Sequence, residues 1–290
     1  MADTPRSRAA VGALTVAALI AFAANSVLGR LALGEPAIDP ASYTALRLAS
    51  GALVLAVLLR LGPGGGSERR VGSWSGAAAL FLYAVCFSFA YVSLDTGTGA
   101  LVLFGAVQLT IVAVSFVRGH RPARLEWAGM TLAVAGFVYL TLPGATAPPL
   151  VGFVLMALSG VAWGFYTLVG RGSRNPLADT AQNFARSVPM MLVVVAVVAL
   201  AGLDFELSTR GVLLALASGG ITSALGYAIW YRALGGLSPT QSAVVQLLVP
   251  VLAALGGALF VAEPLTLRLV VAGALILGGV ALVTFGRKPA

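Results

Sequence analysis

Apolar runs of 18 or more residues recur ten times along this 290-residue chain. At 1.5 Å per residue, each run is long enough as a helix to cross about 30 Å of hydrocarbon. The spacing predicts spans over 9–30, 40–61, 73–94, 98–118, 124–143, 150–171, 178–201, 210–234, 238–262 and 265–285. Hydrophobic residues make up 59% of the chain and charged residues only 10%, so a water-soluble globule would lack the polar side chains to cover its surface. The connecting loops are too short to hide a soluble domain. Function therefore belongs inside or across a bilayer.

A net charge of +8 could suggest nucleic acid, but the placement of the charges excludes that reading. With the amino terminus in the cytoplasm, thirteen cations lie in or beside inner loops: Arg6, Arg8, Arg60, Arg69, Arg70, Arg118, Arg121, Arg124, Arg171, Arg174, Arg232, Arg287 and Lys288. Only Arg30, Arg210 and Arg268 fall outside. The positive-inside rule then sets both termini in the cytoplasm. The loop GPGGGSERR, residues 62–70, lacks the Lys-Ser/Thr of a phosphate-binding loop and reads as a flexible inner connection. Arg6, Arg8, the apolar run from Val11 and Ala21-Phe22-Ala23 resemble a secretory signal. Cys86 is the sole cysteine, which excludes an internal disulfide and a two-cysteine metal site.

The chain also repeats itself. Val11-Gly12, Gly29-Arg30, Pro36 and Arg47 recur as Val151-Gly152, Gly170-Arg171, Pro176 and Arg186, at an offset of about 140 residues. Because the sixth span carries the ends that match the first, the first span is expected to be retained rather than cleaved. Residues 1–147 and 148–290 are thus candidate halves of five spans each, joined by Pro143-Gly144 and Pro148-Pro149. An odd number of spans inverts the second half relative to the first, a ground plan of secondary transporters. Gly160 with Gly164, Gly256-Gly257 and Gly278-Gly279 read as packing seams.

Two charges lie at membrane depth, Arg47 in the second span and Arg186 in the seventh. Each costs about 2.5 to 3.5 kcal/mol or more to insert. Each therefore either faces a cavity, as a gate or a partner for a substrate carboxylate, or snorkels and caps carbonyls at a helix end. Asn25, Gln108, Asn183 and Gln246 come from four different spans near mid-depth and are either substrate contacts or interhelical hydrogen-bond partners. Pro189 and Pro250 kink the seventh and ninth spans, freeing backbone carbonyls. Tyr83, Phe87 and Tyr91 form a stripe on the third span, and Tyr227, Trp230 and Tyr231 a shallower cluster on the eighth. Trp163 and Tyr83 are deep, large and able to stack on a flat ligand, whereas Trp74 and Trp127 read as interfacial belt residues. Asp95, Glu126, Asp179 and Glu263 all fall near helix ends, and His120, the only histidine, lies in an inner loop. A buried proton relay or carboxylate sodium site has no obvious residues, so a carrier driven by its substrate's own gradient is expected.

The stretch Gly99 to Leu109 (GALVLFGAVQL), the Arg47 and Arg186 pair, and the run from Pro250 through Glu263-Pro264 to Gly273 resemble the EamA repeats of the drug/metabolite transporter superfamily. Within it the chain is similar to the YddG-type aromatic amino acid exporters. The resemblance implies an all-α integral membrane protein of ten transmembrane helices in two inverted five-helix repeats, with a central cavity. One departure is that the first half carries no Glu equivalent to Glu263, the matching position lying near Gly119. The activity implied is export of amino acids, aromatic ones among them, and related metabolites by alternating access across a bacterial inner membrane. Trp163, Tyr83, Phe87 and Tyr227 would hold the side chain, with Asn25, Gln108, Asn183 or Gln246 at the polar end. Partners are a small-molecule substrate and lipid, with no nucleic acid, metal or cofactor, and the oligomeric state stays open, a monomer being one option. The alternatives are export of another metabolite or drug, or a membrane-embedded enzyme, for which no nucleophile or acid–base set is evident.

Overall fold

Among the described residues ten apolar spans give twelve α-helical segments, because a π-helix interrupts the α pattern of the eighth span and a single residue that of the ninth. The structure, a computed structural model, describes residues 8–35, 37–61, 72–119, 123–144, 146–202, 205–237 and 239–286. The helices are α1 (Arg8–Leu33), α2 (Pro40–Leu61), α3 (Trp74–Tyr91), α4 (Thr96–Val117), α5 (Arg124–Thr141), α6 (Leu150–Val169), α7 (Pro176–Leu200), α8 (Thr209–Ala217), α9 (Gly226–Leu234), α10 (Pro239–Gln246), α11 (Leu248–Phe260) and α12 (Leu267–Gly286). Every end lies within three residues of the predicted span. The loop 62–70, Arg6, Pro36, His120, Arg121, Arg287 and Lys288 lie outside the described residues.

The starts of the helices are written locally. Ser73 accepts the Gly76 amide to begin α3, Asn175 accepts that of Ala178 just before Pro176 at the head of α7, and Ser208 accepts that of Gly211 to begin α8. Among the described residues nine helical segments are long and apolar enough to cross a membrane. The one left out is α5, which has Arg124 and Glu126 in its first turn. The outer surface is greasy, with Leu200 89% and Val117 84% exposed, as lipid contact requires and water would penalise.

The eighth span is helical throughout but not α-helical throughout. Between α8 and α9 runs a π-helix, Ser218–Leu225. A Cβ on Gly219 would fall 2.1 Å from the Arg47 carbonyl oxygen, so only glycine lets α2 approach this turn so closely. Thr222 also donates to the Ser218 carbonyl at 2.9 Å within it. The ninth span breaks at Leu247, just ahead of Pro250. Proline has no amide to bond the Gln246 carbonyl four residues back, so the ladder ends there. Pro189, by contrast, lies on an exposed face of α7, which continues through it.

Helix pairing is specific. The most extensive contact is α5 on α12, followed by α3 on α6, α2 on α7 and α4 on α6, while α1 lies against α9 and α11. Small residues make the seams: a Cβ on Gly160 would meet the Leu103 carbonyl oxygen at 2.5 Å, and Gly129 and Gly279 face each other's carbonyls at the same distance. The expected seam at Gly160 and Gly164 is thus a contact within one chain. Gly278, read as part of another seam, has no neighbour that a Cβ would meet.

Candidate functional site

The bundle encloses a chamber of about 490 Å³ whose deep wall is aromatic. Trp163 of α6 stacks with Tyr166 at 5.0 Å between ring centres and with Tyr227 at 5.4 Å, and Tyr83 of α3 lies 4.8 Å away. Phe22 of α1 closes on Tyr227 and Trp230 at 5.8 and 5.9 Å. Such rings give a large apolar surface with little rotamer freedom to lose. Hydroxyls tie the ring edges together: Tyr166 donates to Thr180, whose oxygen also pairs with the Tyr231 hydroxyl at 2.8 Å.

Among the described residues the chamber reaches one face of the bundle only. Its lining includes Gly72 and Ser73 ahead of α3, Gly170 to Ser173 in the α6–α7 turn, and Leu234 at the end of α9. These connections all lie on the same side. Its lining includes no described residue of the turns at the opposite end, where the chain is pinned across its length. Arg30 at the end of α1 donates to Glu263 at 2.9 Å and to the carbonyls of Tyr91 and Val92, with Asp95 3.8 Å away. Glu263 also accepts the Thr96 amide at 2.8 Å. Nearby, Ile38 and Leu207 form an antiparallel bridge, and the Ala37 carbonyl accepts both the amide and the hydroxyl of Ser208.

Of the residues singled out in the sequence, Trp163, Tyr83, Phe87, Tyr227, Asn25, Asn183 and Gln246 line this chamber. Asn25 accepts from Ser218 at 2.6 Å and Thr222 at 3.2 Å and donates to the Tyr83 hydroxyl at 3.4 Å. Asn183 is committed locally, since its oxygen accepts the Ser73 amide at 3.0 Å. Gln246 donates back to the Ser242 carbonyl of its own helix.

Three residues fall elsewhere. Gln108 lines a neighbouring cavity of about 480 Å³, which shares Trp163, Thr167, Arg171, Trp230, Leu234 and Gln246 with the chamber. Arg47 is 2% exposed and sits behind the chamber wall, donating to the Tyr83 hydroxyl at 2.8 Å with its guanidinium 4.5 Å from the Phe87 ring centre. Arg186 lies over the ring of Trp74 at 5.2 Å, outside the chamber lining. Both arginines are therefore displaced from the direct cavity-facing position considered for them. Each uses an aromatic face in place of an anion, a cation–π arrangement that lowers the cost of burial.

Sequence reasoning passed over Phe22, Phe104, Thr222 and Ser223, all in the lining. Phe22 was hidden inside the signal-like Ala21-Phe22-Ala23, and Thr222 and Ser223 sit in a π-turn that no apolar periodicity announces. Among the described residues, no cluster of His, Cys, Asp or Glu could hold a metal ion.

The family profile described as the EamA-like transporter family matches residues 150–285. An uncharacterized protein of Pseudomonas aeruginosa is 54% identical over 93% of each chain. A Salmonella typhimurium protein named "Probable amino-acid metabolite efflux pump" is 25% identical, the match covering 70% of this chain and 72% of that one. A solved crystal structure superposes with a TM-score of 0.65 at 20% identity, covering 96% of this chain and 98% of its own, so the fold is shared.

Proposed function

Because the chain belongs to the EamA-like transporter family, we propose that it exports amino acids, aromatic ones among them, and related metabolites across the bacterial inner membrane. The observation that carries this reading is the chamber itself, walled by Trp163, Tyr83, Phe87 and Tyr227, reached from one face and sealed at the other by Arg30 and Glu263. With the termini cytoplasmic, the accessible face is the inner one, so the solute enters from the cytoplasm. Release outward requires the sealed end to part while the inner end closes, which is alternating access.

Helix pairing supports two inverted halves, residues 1–147 and 148–290. Exchanging the halves turns the α3–α6 contact into that of α1 with α9, and the α4–α6 contact into that of α1 with α11. It returns α2–α7, α4–α11 and α5–α12 to themselves. A packing scheme that survives this exchange is what a twofold axis in the membrane plane produces. The relative from Salmonella, named for amino-acid metabolite efflux, favours amino acids as cargo. So do the apolar rings and the single cation, Arg171, among the described residues of the lining, where a polyphosphate would need a cluster.

The deciding measurement is counterflow in proteoliposomes with a panel of labelled amino acids, with and without a pH gradient. Exchange of aromatic amino acids that does not depend on the gradient is expected. Failure of every amino acid in the panel to exchange would overturn the reading.

A further inference from the structure

The aromatic chamber poses an electrostatic question. Ring faces carry negative potential, and a box of them by itself selects cations. Behind that wall the buried Arg47 lies on the far side of Tyr83 and Phe87, with no carboxylate partner among the described residues. Its Nη1 has no hydrogen-bond partner among the described residues. Its positive charge is met by ring faces and a phenol but by no described anion, and in a low-dielectric surrounding that charge acts over several ångströms.

Tyr83 stands between this charge and the chamber. Its hydroxyl oxygen receives Arg47 Nη2 at 2.8 Å from α2 and Asn25 Nδ2 at 3.4 Å from α1. A phenolic oxygen has one proton to give and room for about two incoming donors, so the accepting side of this hydroxyl is filled. The Asn25 amide is held in that orientation because Ser218 and Thr222 both donate to its oxygen. The backbone of Tyr83 is held too, its carbonyl accepting from Ser159 of α6 at 2.9 Å. Both bonds at the Tyr83 hydroxyl use its oxygen as acceptor and leave its proton unspent, on a residue that lines the chamber. Ser223, whose buried hydroxyl has no partner, lines the same chamber.

We propose that Tyr83 is the chamber's obligate hydrogen-bond donor, that it reads a carboxylate on the solute, and that Arg47 is the positioning residue that turns and polarises it. The inference rests on the chamber being the solute site. Arg47 never touches the solute. It fills the lone pairs of the tyrosine oxygen, so the phenol cannot act as an acceptor, and its charge strengthens the bond the phenol makes to an anion. An amine with the same aromatic body but no carboxylate meets the Arg47 field with nothing to offer Tyr83 and is disfavoured. The chamber thus selects acids although its walls alone would select cations.

The test is binding of labelled phenylalanine, 3-phenylpropionate and phenethylamine to the purified protein, on wild type, Tyr83→Phe, Arg47→Met and Arg47→Lys. Wild type should bind the two carboxylates at least about tenfold more tightly than the amine, the scale of one charge-assisted hydrogen bond. Tyr83→Phe should bring the three ligands together, Arg47→Met should do the same, and Arg47→Lys, which keeps a charged donor, should retain part of the preference. A merely structural loss would weaken all three alike and leave their ratio unchanged. A wild type that binds the amine as tightly as the acids, or a Tyr83→Phe protein that keeps the wild-type ratio, overturns this inference and leaves the export reading standing. No binding of any of the three by folded wild type removes the export reading and this inference with it. If Arg47→Met does not fold, Tyr83→Phe still decides.

Discussion

Arg30 and Glu263 are separated by 233 residues and meet at 2.9 Å, with side chains only 18% and 11% exposed. The pair joins the end of α1 to the segment between α11 and α12, and through the second oxygen of Glu263 it also holds the first amide of α4. It lies at the end of the bundle that the chamber does not reach, and on the export reading it seals that end and must part in every cycle. Glu263→Gln keeps the shape and removes the charge, and it should lower stability by about 1–3 kcal/mol, the range for a hydrogen bond to a charged group. A cysteine at Thr96, in a Cys86→Ser background, should then react with a membrane-impermeant thiol reagent roughly tenfold faster than without the change. The reversed pair, Arg30→Glu with Glu263→Arg, should recover part of the protection. Equal labelling of all these proteins would show that the pair does not seal this end.

Asp95, in the turn between α3 and α4, sits 3.8 Å from Arg30 and near the same Glu263. Partial burial pushes its carboxyl above the ordinary aspartate range, the Glu263 charge adds to the rise, and Arg30 opposes it. Since the folded protein holds this proton more firmly than the unfolded chain, stability is greatest with Asp95 protonated and falls as pH rises through its raised value. Asp95→Asn should therefore be as stable as wild type or slightly more so at neutral pH. That advantage should vanish as pH falls towards the ordinary aspartate value of about 4. Thermal unfolding across this window checks it, and a variant clearly less stable at neutral pH would mean that Asp95 works chiefly as a partner of Arg30.

The spans were legible because membrane crossing is set by apolar length alone, and the residues on either side of α4 or α12 leave little freedom. Depth was legible for the same reason: Arg47 and Tyr83 do lie inside the bundle. Direction was not. Whether Arg47 points into the chamber or behind Tyr83 depends on which elements pack beside α2, and one of those close approaches rests on Gly219, a glycine among 35. The break at Leu247 could be read from Pro250, whereas the π-turn at Ser218–Leu225 is built from small residues that would fit an ordinary helix equally well. Arg30 read as a stray outer charge because its partner is more than two hundred residues away. Charge pairs that close a bundle carry no local pattern.

The contact of α5 with α12 allows a controlled test of packing. Gly129 faces the Gly279 carbonyl so closely that an added Cβ would lie 2.5 Å from it, while Gly278, one residue away, meets nothing. Alanine in place of a helical glycine gains up to about 1 kcal/mol of helix propensity. Gly278→Ala should therefore leave the melting temperature unchanged or raise it. Gly129→Ala must push two backbones apart, at a cost of about 1–3 kcal/mol, and should lower it. Equal behaviour of the two variants would place the seam elsewhere.

Trp163 is the residue on which the chamber turns, since it stacks on Tyr166 and Tyr227, lies 4.8 Å from Tyr83 and borders both cavities. It is only partly buried, because one side borders the chamber. Its replacement therefore falls more heavily on the solute than on the core. Trp163→Ala should raise the concentration for half-maximal counterflow of an aromatic amino acid by roughly tenfold, as loss of one or two ring contacts implies. Trp163→Phe, which keeps a ring in place, should fall between the two. Size-exclusion profile and melting temperature measured alongside separate this from misfolding. Unchanged transport of every tested amino acid by a folded Trp163→Ala protein would show that the aromatic wall supports the bundle and does not hold its cargo.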